Sequence, residues 1–191
     1  KNLVTKKNFS FRENVDIPIT NKIEPRDTYF LSKLIIEKVI SLKKNKYLIF
    51  RPHNFYGPRM GLKHVISEMI LKIKNKSKIS VKSYNHKRCF CYIDDAINII
   101  AKIIFNNKYY NNTYNIGNPN EEIKIFDLIK KIQFIQKKNV LLKKINFEEG
   151  SPVRRKPNIN KITKLYNSKI KFTDLEKGLN KTIQWYEKNF K

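Results

Sequence analysis

Glycine is scarce in this chain, with five residues in 191, at Gly57, Gly61, Gly117, Gly150 and Gly178. That spacing excludes any Gly-x-x-Gly-x-x-Gly loop, whose backbone N–H groups cradle a pyrophosphate at a helix N-terminus. Cysteine is nearly absent as well. Cys89 and Cys91 lie two apart, so in a strand they would share a face, but no second cysteine pair or histidine cluster completes a metal site. Two cysteines build no disulfide framework, which fits a reducing cytoplasm. No apolar run reaches membrane-span length and no signal peptide opens the chain, so it reads as soluble and cytoplasmic, with no membrane partner. The first residue is Lys1 rather than Met, so we expect either processing ahead of it or a fragment of a longer chain.

Acidic residues are the third shortage: 16 Asp and Glu face 41 Lys and Arg, a formal net charge of +25. Such a balance ordinarily points to nucleic acid. Here the excess lies in Lys and travels with abundant Asn, Ile, Tyr and Phe, residues that share A- and T-rich codons, so genomic base composition accounts for it. The charge is also dispersed, with Lys1, Lys6, Lys22, Lys38, Lys63, Lys124 and Lys181 far apart and no RRM, zinc-finger or arginine-rich signature near them. It will attract anions in general but predicts no specific nucleic-acid partner. A basic nucleic-acid-binding protein stays open as the more remote alternative. What is present, 40% hydrophobic and 30% charged residues over the length of one domain, suits a folded chain that buries a core of its own.

Residues 1–27 are polar and irregular, with Pro18 and Pro25 marking loop, and Asp27 and Thr28 are good caps for a helix beginning near Tyr29. Leu31, Leu34, Ile35, Val39 and Leu42 recur at helical spacing and predict an amphipathic helix over 28–45. A buried strand follows at 47–50. The stretch 51–58 reads as loop, because two prolines and a glycine break regular structure. Further along, the pattern predicts helix at 63–74, strands at 78–82 and 89–93, and a helix opened by Asp94 and Asp95, whose carboxylates suit a helix start. A strand at 113–116 then leads into a turn at 117–120, helix at 124–135 and strand at 140–144. After a loop at 148–158 come helices at 160–166 and 174–189. Strands alternate with helices throughout, so the class is α/β. Tyr110, Tyr114 and Trp185 read as core aromatics.

Chemistry first suggests itself at Tyr29 and Lys33. Four apart on a helix, they share a face, and an ammonium beside a phenol favours its ionised form, suited to acid/base work on a hydroxyl. In so Lys-rich a chain the same spacing arises by chance, and the pair alone reads better as a helix-surface contact. Its surroundings are more specific. Pro25-x-x-x-Tyr29-x-x-Ser32-Lys33-x-x-x-Glu37, then Phe50-Arg51-Pro52-x-Asn54-x-Tyr56-Gly57-Pro58, is similar to the pattern of extended short-chain dehydrogenases/reductases acting on nucleotide sugars, the NAD-dependent epimerase/dehydratase family. The likeness continues in order. Arg88-Cys89-Phe90-Cys91-Tyr92-Ile93-Asp94-Asp95 resembles the family's Arg-x-Phe-x-Tyr-Val-Asp-Asp segment, and Tyr114-Asn115-Ile116-Gly117 its Tyr-Asn-Ile-Gly turn. Arg154-Arg155-x-Pro157-Asn158-Ile159 resembles its Arg-Arg-x-Pro-Asp-Ile loop, and Leu175-Glu176-x-Gly178-Leu179-x-x-Thr182-Ile183-x-Trp185-Tyr186 its last helix.

The resemblance implies roles. Tyr29 would be the catalytic acid/base, with Lys33 beside it favouring the phenolate and holding the nicotinamide ribose of NAD. Pro52 and His53 would lie along the nicotinamide. Asn54, His64, Val65, Arg88 and Arg155 would hold a nucleotide-diphosphate sugar, the two arginines clamping the diphosphate as guanidinium forks do. Blander roles stay open: turn residue for Asn54, surface residue for His64, exposed charge for Arg88 and helix cap for Asp94 and Asp95.

Two departures stand against the likeness. The Gly-rich NAD loop is missing, and with it the strands that would form most of the dinucleotide-binding sheet. The family also places a Ser or Thr about two dozen residues before the tyrosine, where this chain has Lys7 or Asn8; Thr5 or Ser10 could substitute only in a shifted register. We therefore expect the C-terminal part of a Rossmann-type enzyme with its small substrate-binding lobe. Residues 1–58 would be a remnant of the NAD-binding domain, and 59–191 mainly the substrate lobe, with segments returning to the Rossmann domain. The family is typically homodimeric, and an N-terminal half-chain is a further expected partner. Epimerisation, dehydration and decarboxylation are not separated by these residues, and a non-enzymatic remnant is the nearer alternative.

Overall fold

The computed structural model describes residues 12–14, 25–145, 152–166 and 169–190; the positions weighed for the catalytic hydroxyl, Thr5, Lys7, Asn8 and Ser10, lie outside them. Helix α1 (Pro25–Leu42) opens earlier than expected, at its proline. At the first helical position the absent N–H has no intrahelical bond to lose, so Pro25 starts the helix rather than marking loop. Asp27 sits in the first turn, beside the positive end of the helix dipole. The expected apolar stripe is only partly covered, since Ile35, Val39 and Leu42 are 61%, 50% and 85% exposed.

Strand β1 (Leu48–Pro52) corrects the expected loop at 51–58, because it continues through Arg51 and Pro52. It pairs in parallel with β6 (Asn112–Ile116) from Leu48↔Asn112 to Pro52↔Ile116. The next residue, His53, donates its N–H to the Ile116 carbonyl at 2.9 Å. Adjacent backbone groups alternate sides in a strand, so the Pro52 nitrogen faces away from β6 and no ladder bond is lost. The same stretch holds β2 (Phe55–Tyr56), paired in parallel with β5 (Cys91–Tyr92).

Strand β3 (Lys78–Val81) pairs in parallel with β8 (Leu141–Lys144). Strand β4 (Lys87–Cys89) lies between β7 (Glu122–Lys124), antiparallel, and β9 (Arg154–Arg155), parallel. Strands β7 and β9 had no sequence signature, because two or three residues show no periodicity and these exist only by pairing with β4.

Among the described residues the buried apolar side chains gather into two clusters. The larger joins α2 (Val65–Asn75), α4 (Ile125–Ile135) and α6 (Leu175–Asn189) over β3. Each helix contributes one face at helical spacing: Ile66, Met69, Ile70 and Ile73; Ile125, Leu128, Ile129 and Ile132; Leu175, Leu179, Ile183 and Tyr186. Gly178 lets α6 settle on the buried Tyr56 ring, where any side chain would collide with the phenol. The smaller cluster packs α3 (Ile93–Ile104) and α5 (Asn160–Leu165) on β1 and β6 through Ala96, Ile99, Ile103, Tyr114, Ile116 and Ile162. Of the expected core aromatics, Tyr114 is fully buried, while Tyr110 and Trp185 are half-buried.

Asp94 and Asp95 lie in the first turn of α3, but its cap is Tyr92 and no side chain bonds there. Asp95 does different work from the capping expected of it. Its carboxylate accepts from the Thr173 N–H at 2.7 Å and hydroxyl at 2.9 Å, tying α3 to the segment that enters α6.

Candidate functional site

Two parallel strands, β1 and β6, end side by side, and the residues just past them build the first part of the site. Asn115, buried on β6, receives an N–H from the His53 ring at 3.4 Å and donates its amide N–H to the Asn158 carbonyl at 3.1 Å. That chain of bonds joins the end of β1, the end of β6 and the loop after β9. His53 is held below the ordinary histidine range mainly by burial, against the bond to Asn115, with the Arg155 charge lowering it further. Gly117 makes the closure possible: a Cβ there would lie 2.9 Å from the His53 Cβ and 3.0 Å from the Pro157 Cγ.

Asn54 takes a left-handed backbone, φ 46°, which asparagine tolerates better than most residues. Its amide donates to the Cys89 carbonyl at 2.9 Å, and its own carbonyl accepts from the Cys91 N–H at 3.1 Å. The residue thus stitches the exit of β1 to the β4–β5 chain.

The second part of the site is cationic. Arg88 on β4 and Arg155 on β9 are register partners, so both project from the same face of the sheet. Arg154 alternates to the opposite side and pairs with Glu122 at 2.5 Å. Half-buried Arg88 donates to the Lys87 carbonyl at 2.8 Å, the Val153 carbonyl at 3.3 Å and the Nδ1 of His86 at 3.2 Å. Burial, then the neighbouring Arg155 charge, brings the Arg88 guanidinium down to about 10. Two guanidinium groups held side by side repel each other, and an anion bridging them offsets that cost.

The third part is α1. Tyr29 is 70% exposed, and Lys33 Nζ lies 5.4 Å from its ring centroid, an i,i+4 cation–π contact. The helix is clamped to β1 by a bidentate ion pair: Arg51 Nε and its terminal nitrogen reach the Glu37 carboxylate at 2.9 and 2.6 Å. Arg51 also donates to the Glu13 carbonyl at 2.9 Å, and the Glu13 carboxylate accepts the Asn115 N–H at 3.0 Å. The Tyr-Lys helix is therefore anchored to the strand residue just before Pro52 and His53. His64 and Val65 sit at the N-terminus of α2. His64 is exposed and makes no side-chain cap bond, and Val65 packs half-buried on the larger core. The bonds joining His53, Asn115, Asn158, His86 and Arg88 include neither.

A model of the NAD dependent epimerase/dehydratase family matches residues 11–117. The chain belongs to this family. The matched span holds Tyr29, Lys33, His53, Asn54 and Arg88, and Arg155 lies beyond it. Among relatives of this epimerase/dehydratase chain is the bifunctional polymyxin resistance protein ArnA of Wigglesworthia glossinidia brevipalpis, 31% identical over 84% of this chain and 29% of that protein. The fold of this chain is shared with UDP-glucuronic acid 4-epimerase of Bacillus cereus, solved with UDP-glucuronic acid and NAD (TM-score 0.82, 20% identity, 98% of this chain and 59% of that one). It is shared also with dTDP-glucose 4,6-dehydratase of Bacillus anthracis, solved with NAD (TM-score 0.74, 22% identity, 96% and 57%). The chain thus spans under a third of the curated relative and under two thirds of these solved structures.

The family and fold expected from the ordered motifs are borne out. Sequence reasoning gave no role to His86, Asn115 or Asn158. Asn115 and Asn158 lie inside the motifs that carried the resemblance, and His86 had a signal in its place two residues before Arg88, on the same face of an extended chain. Among the described residues no group of three His, Cys, Asp or Glu side chains could hold a metal ion, and no helix is long and apolar enough to cross a membrane.

Proposed function

We propose that this chain forms the substrate-side part of an NAD-dependent nucleotide-sugar epimerase or dehydratase of the cytoplasm, with residues 1–58 belonging to the NAD-binding domain and 59–191 mainly to the substrate lobe. The observation that carries the proposal is the register pairing of Arg88 with Arg155. Two forked cations on one face suit a diphosphate, which offers each a bidentate partner. Asn54, His64 and Val65 would complete the nucleotide-sugar site.

The donor set on α1 fits the nicotinamide end of NAD: an exposed phenol and an ammonium one helical turn apart, on a helix ion-paired to the residue before Pro52 and His53. When bound, NAD supplies the hydride acceptor at a sugar ring carbon. Tyr29 would remove the proton from the hydroxyl on that carbon and return it later, and Lys33 would hold the nicotinamide ribose. The pyrophosphate cradle is not among these five glycines, so an N-terminal half has to provide it, and a homodimer of the completed unit follows the family pattern. Inversion, dehydration and decarboxylation of the keto intermediate are all compatible with these residues.

Binding tests the proposal. UDP should bind at least ten-fold tighter than uridine, a difference of about 1.4 kcal/mol, and tighter than tripolyphosphate at ~200 mM salt, where unspecific ionic binding has fallen steeply. Arg88→Ala and Arg155→Ala should each erase the preference. A chain that binds tripolyphosphate as well as UDP is a general polyanion binder, and the proposal fails.

A second reading, a non-enzymatic remnant, draws on Lys7 and Asn8 standing where the family has a hydroxyl. NADH absorbance on adding UDP-sugar to a completed, NAD-loaded protein separates the two.

A further inference from the structure

We propose that His86 is the positioning residue of the diphosphate clamp, its Nδ1 lone pair holding the Arg88 guanidinium in the orientation that faces the phosphates. The inference rests on the diphosphate reading above and adds to it the residue that aims the clamp.

His86 is mounted rigidly. Its ring is buried, 3% exposed, and its backbone is held on both sides, the N–H donating to the Ser83 carbonyl at 2.9 Å and the carbonyl accepting from Ile125 at 2.9 Å. A further bond from the Phe126 N–H to the Tyr84 carbonyl, 3.1 Å, fastens the same turn to the start of α4. The backbone that carries the imidazole is thus fastened to the start of α4 before β4 begins.

The chemistry of the contact settles the tautomer. A guanidinium only donates, so at 3.2 Å Arg88 requires an unprotonated Nδ1, and the neutral ring carries its proton on Nε2. Burial favours the neutral ring, and the charges of Arg88 on β4 and Arg155 on β9 act in the same direction. Together with the Lys87 and Val153 carbonyls, Nδ1 makes three acceptors from three points of the chain. Three fixed acceptors define a plane for a side chain that is otherwise among the most flexible.

That orientation matters because of Arg155. As register partners the two cations repel, and a loosely held Arg88 would swing away from its neighbour. An acceptor on one edge of the guanidinium keeps it in place until a diphosphate offsets the repulsion. The ordering of the clamp is then complete before ligand arrives, which strengthens binding by removing that part of its cost.

The test combines nitrogen-15 NMR of the histidine rings with UDP and uridine titrations of the 191-residue chain. In the wild type we expect His86 as the neutral Nε2–H tautomer, and a proton on Nδ1 would overturn the proposal without any mutation. His86→Leu should weaken UDP binding roughly ten-fold and leave uridine binding alone. His86→Gln, whose amide oxygen also accepts, should restore UDP binding to within about two-fold. In an Arg88→Ala background His86→Leu should have no further effect. If Arg88→Ala abolishes the preference for UDP while His86→Leu keeps it, the positioning role is wrong and the diphosphate site stands. If the wild type shows no preference for UDP over uridine, the diphosphate reading itself falls, and the positioning role with it.

Discussion

Replacing Gly117 with alanine adds one methyl group where the end of β6 meets His53 and Pro157. The new Cβ would sit 2.9 Å from the His53 Cβ and 3.0 Å from the Pro157 Cγ, against about 3.5–4.0 Å for a relaxed carbon–carbon contact. Neither neighbour is the loose end of a long side chain. His53 is tied through its backbone to Ile116, and Pro157 is a ring on a short loop, so one of them must retreat by about half an ångström or more. Overpacking of this kind costs roughly 1–3 kcal/mol. Gly117 is outside the left-handed region, so alanine's smaller freedom in the unfolded chain returns about 0.4–1 kcal/mol. The net expectation is a loss of about 1–2 kcal/mol, read as a lower urea midpoint with an unchanged slope. Because Pro157 follows Arg155 by two residues, UDP affinity should fall as well, by roughly three- to ten-fold. Gly61→Ala is the control, since its Cβ would meet only the tip of the His64 ring at 3.3 Å, which can turn aside. A Gly117→Ala protein as stable as the wild type would refute the packing argument, and one that is destabilised but binds UDP normally would separate the junction from the site.

Other outcomes follow from the same structure. In a completed, NAD-loaded form, Tyr29→Phe should lower kcat by roughly 100-fold or more with KM little changed, and near-normal turnover removes Tyr29 from the mechanism. His53 and His86 are both held below the ordinary histidine value of 6.5. The unfolded chain therefore takes up protons first, so stability is full above about pH 6.5 and declines as pH falls from there toward the depressed native values. Urea midpoints measured down that range should drop, and His86→Gln should make the drop shallower; a flat wild-type profile contradicts the burial argument. Burial raises the Cys89 thiol to about 11 and the Cys91 thiol to about 12. Both should resist Ellman's reagent in the native protein and react once urea unfolds it, and a fast native reaction would mean that strands β4 and β5 open.

Much of this molecule was legible without coordinates, because its signals are local. Helix α1 announced itself by apolar residues at helical spacing, and α2, α4, α6 and β3 were placed within two residues of their observed bounds. The ordered motifs around Tyr29, Arg88, Tyr114 and Arg155 carried the family. Misread segments share one cause, which is that partners distant in sequence decided them. Pro52 belongs to a strand because β6 pairs on its other side, Asp95 binds Thr173 rather than capping α3, and β7 and β9 exist only against β4.

By itself the sequence determined the class of fold, the family and the roster of cations and phenols from which the proposed site is drawn, since these follow from periodicity, side-chain chemistry and motif order. Only tertiary structure decided that Arg88 and Arg155 stand side by side, that His86 holds one of them, and that Glu37 pins the Tyr29 helix to β1. The physical reason is range. Most helices and strands here are chosen by neighbours within a few residues, whereas the proposed clamp is built from side chains 67 positions apart, 88 to 155, whose distance is set by strand register and by nothing either residue carries alone.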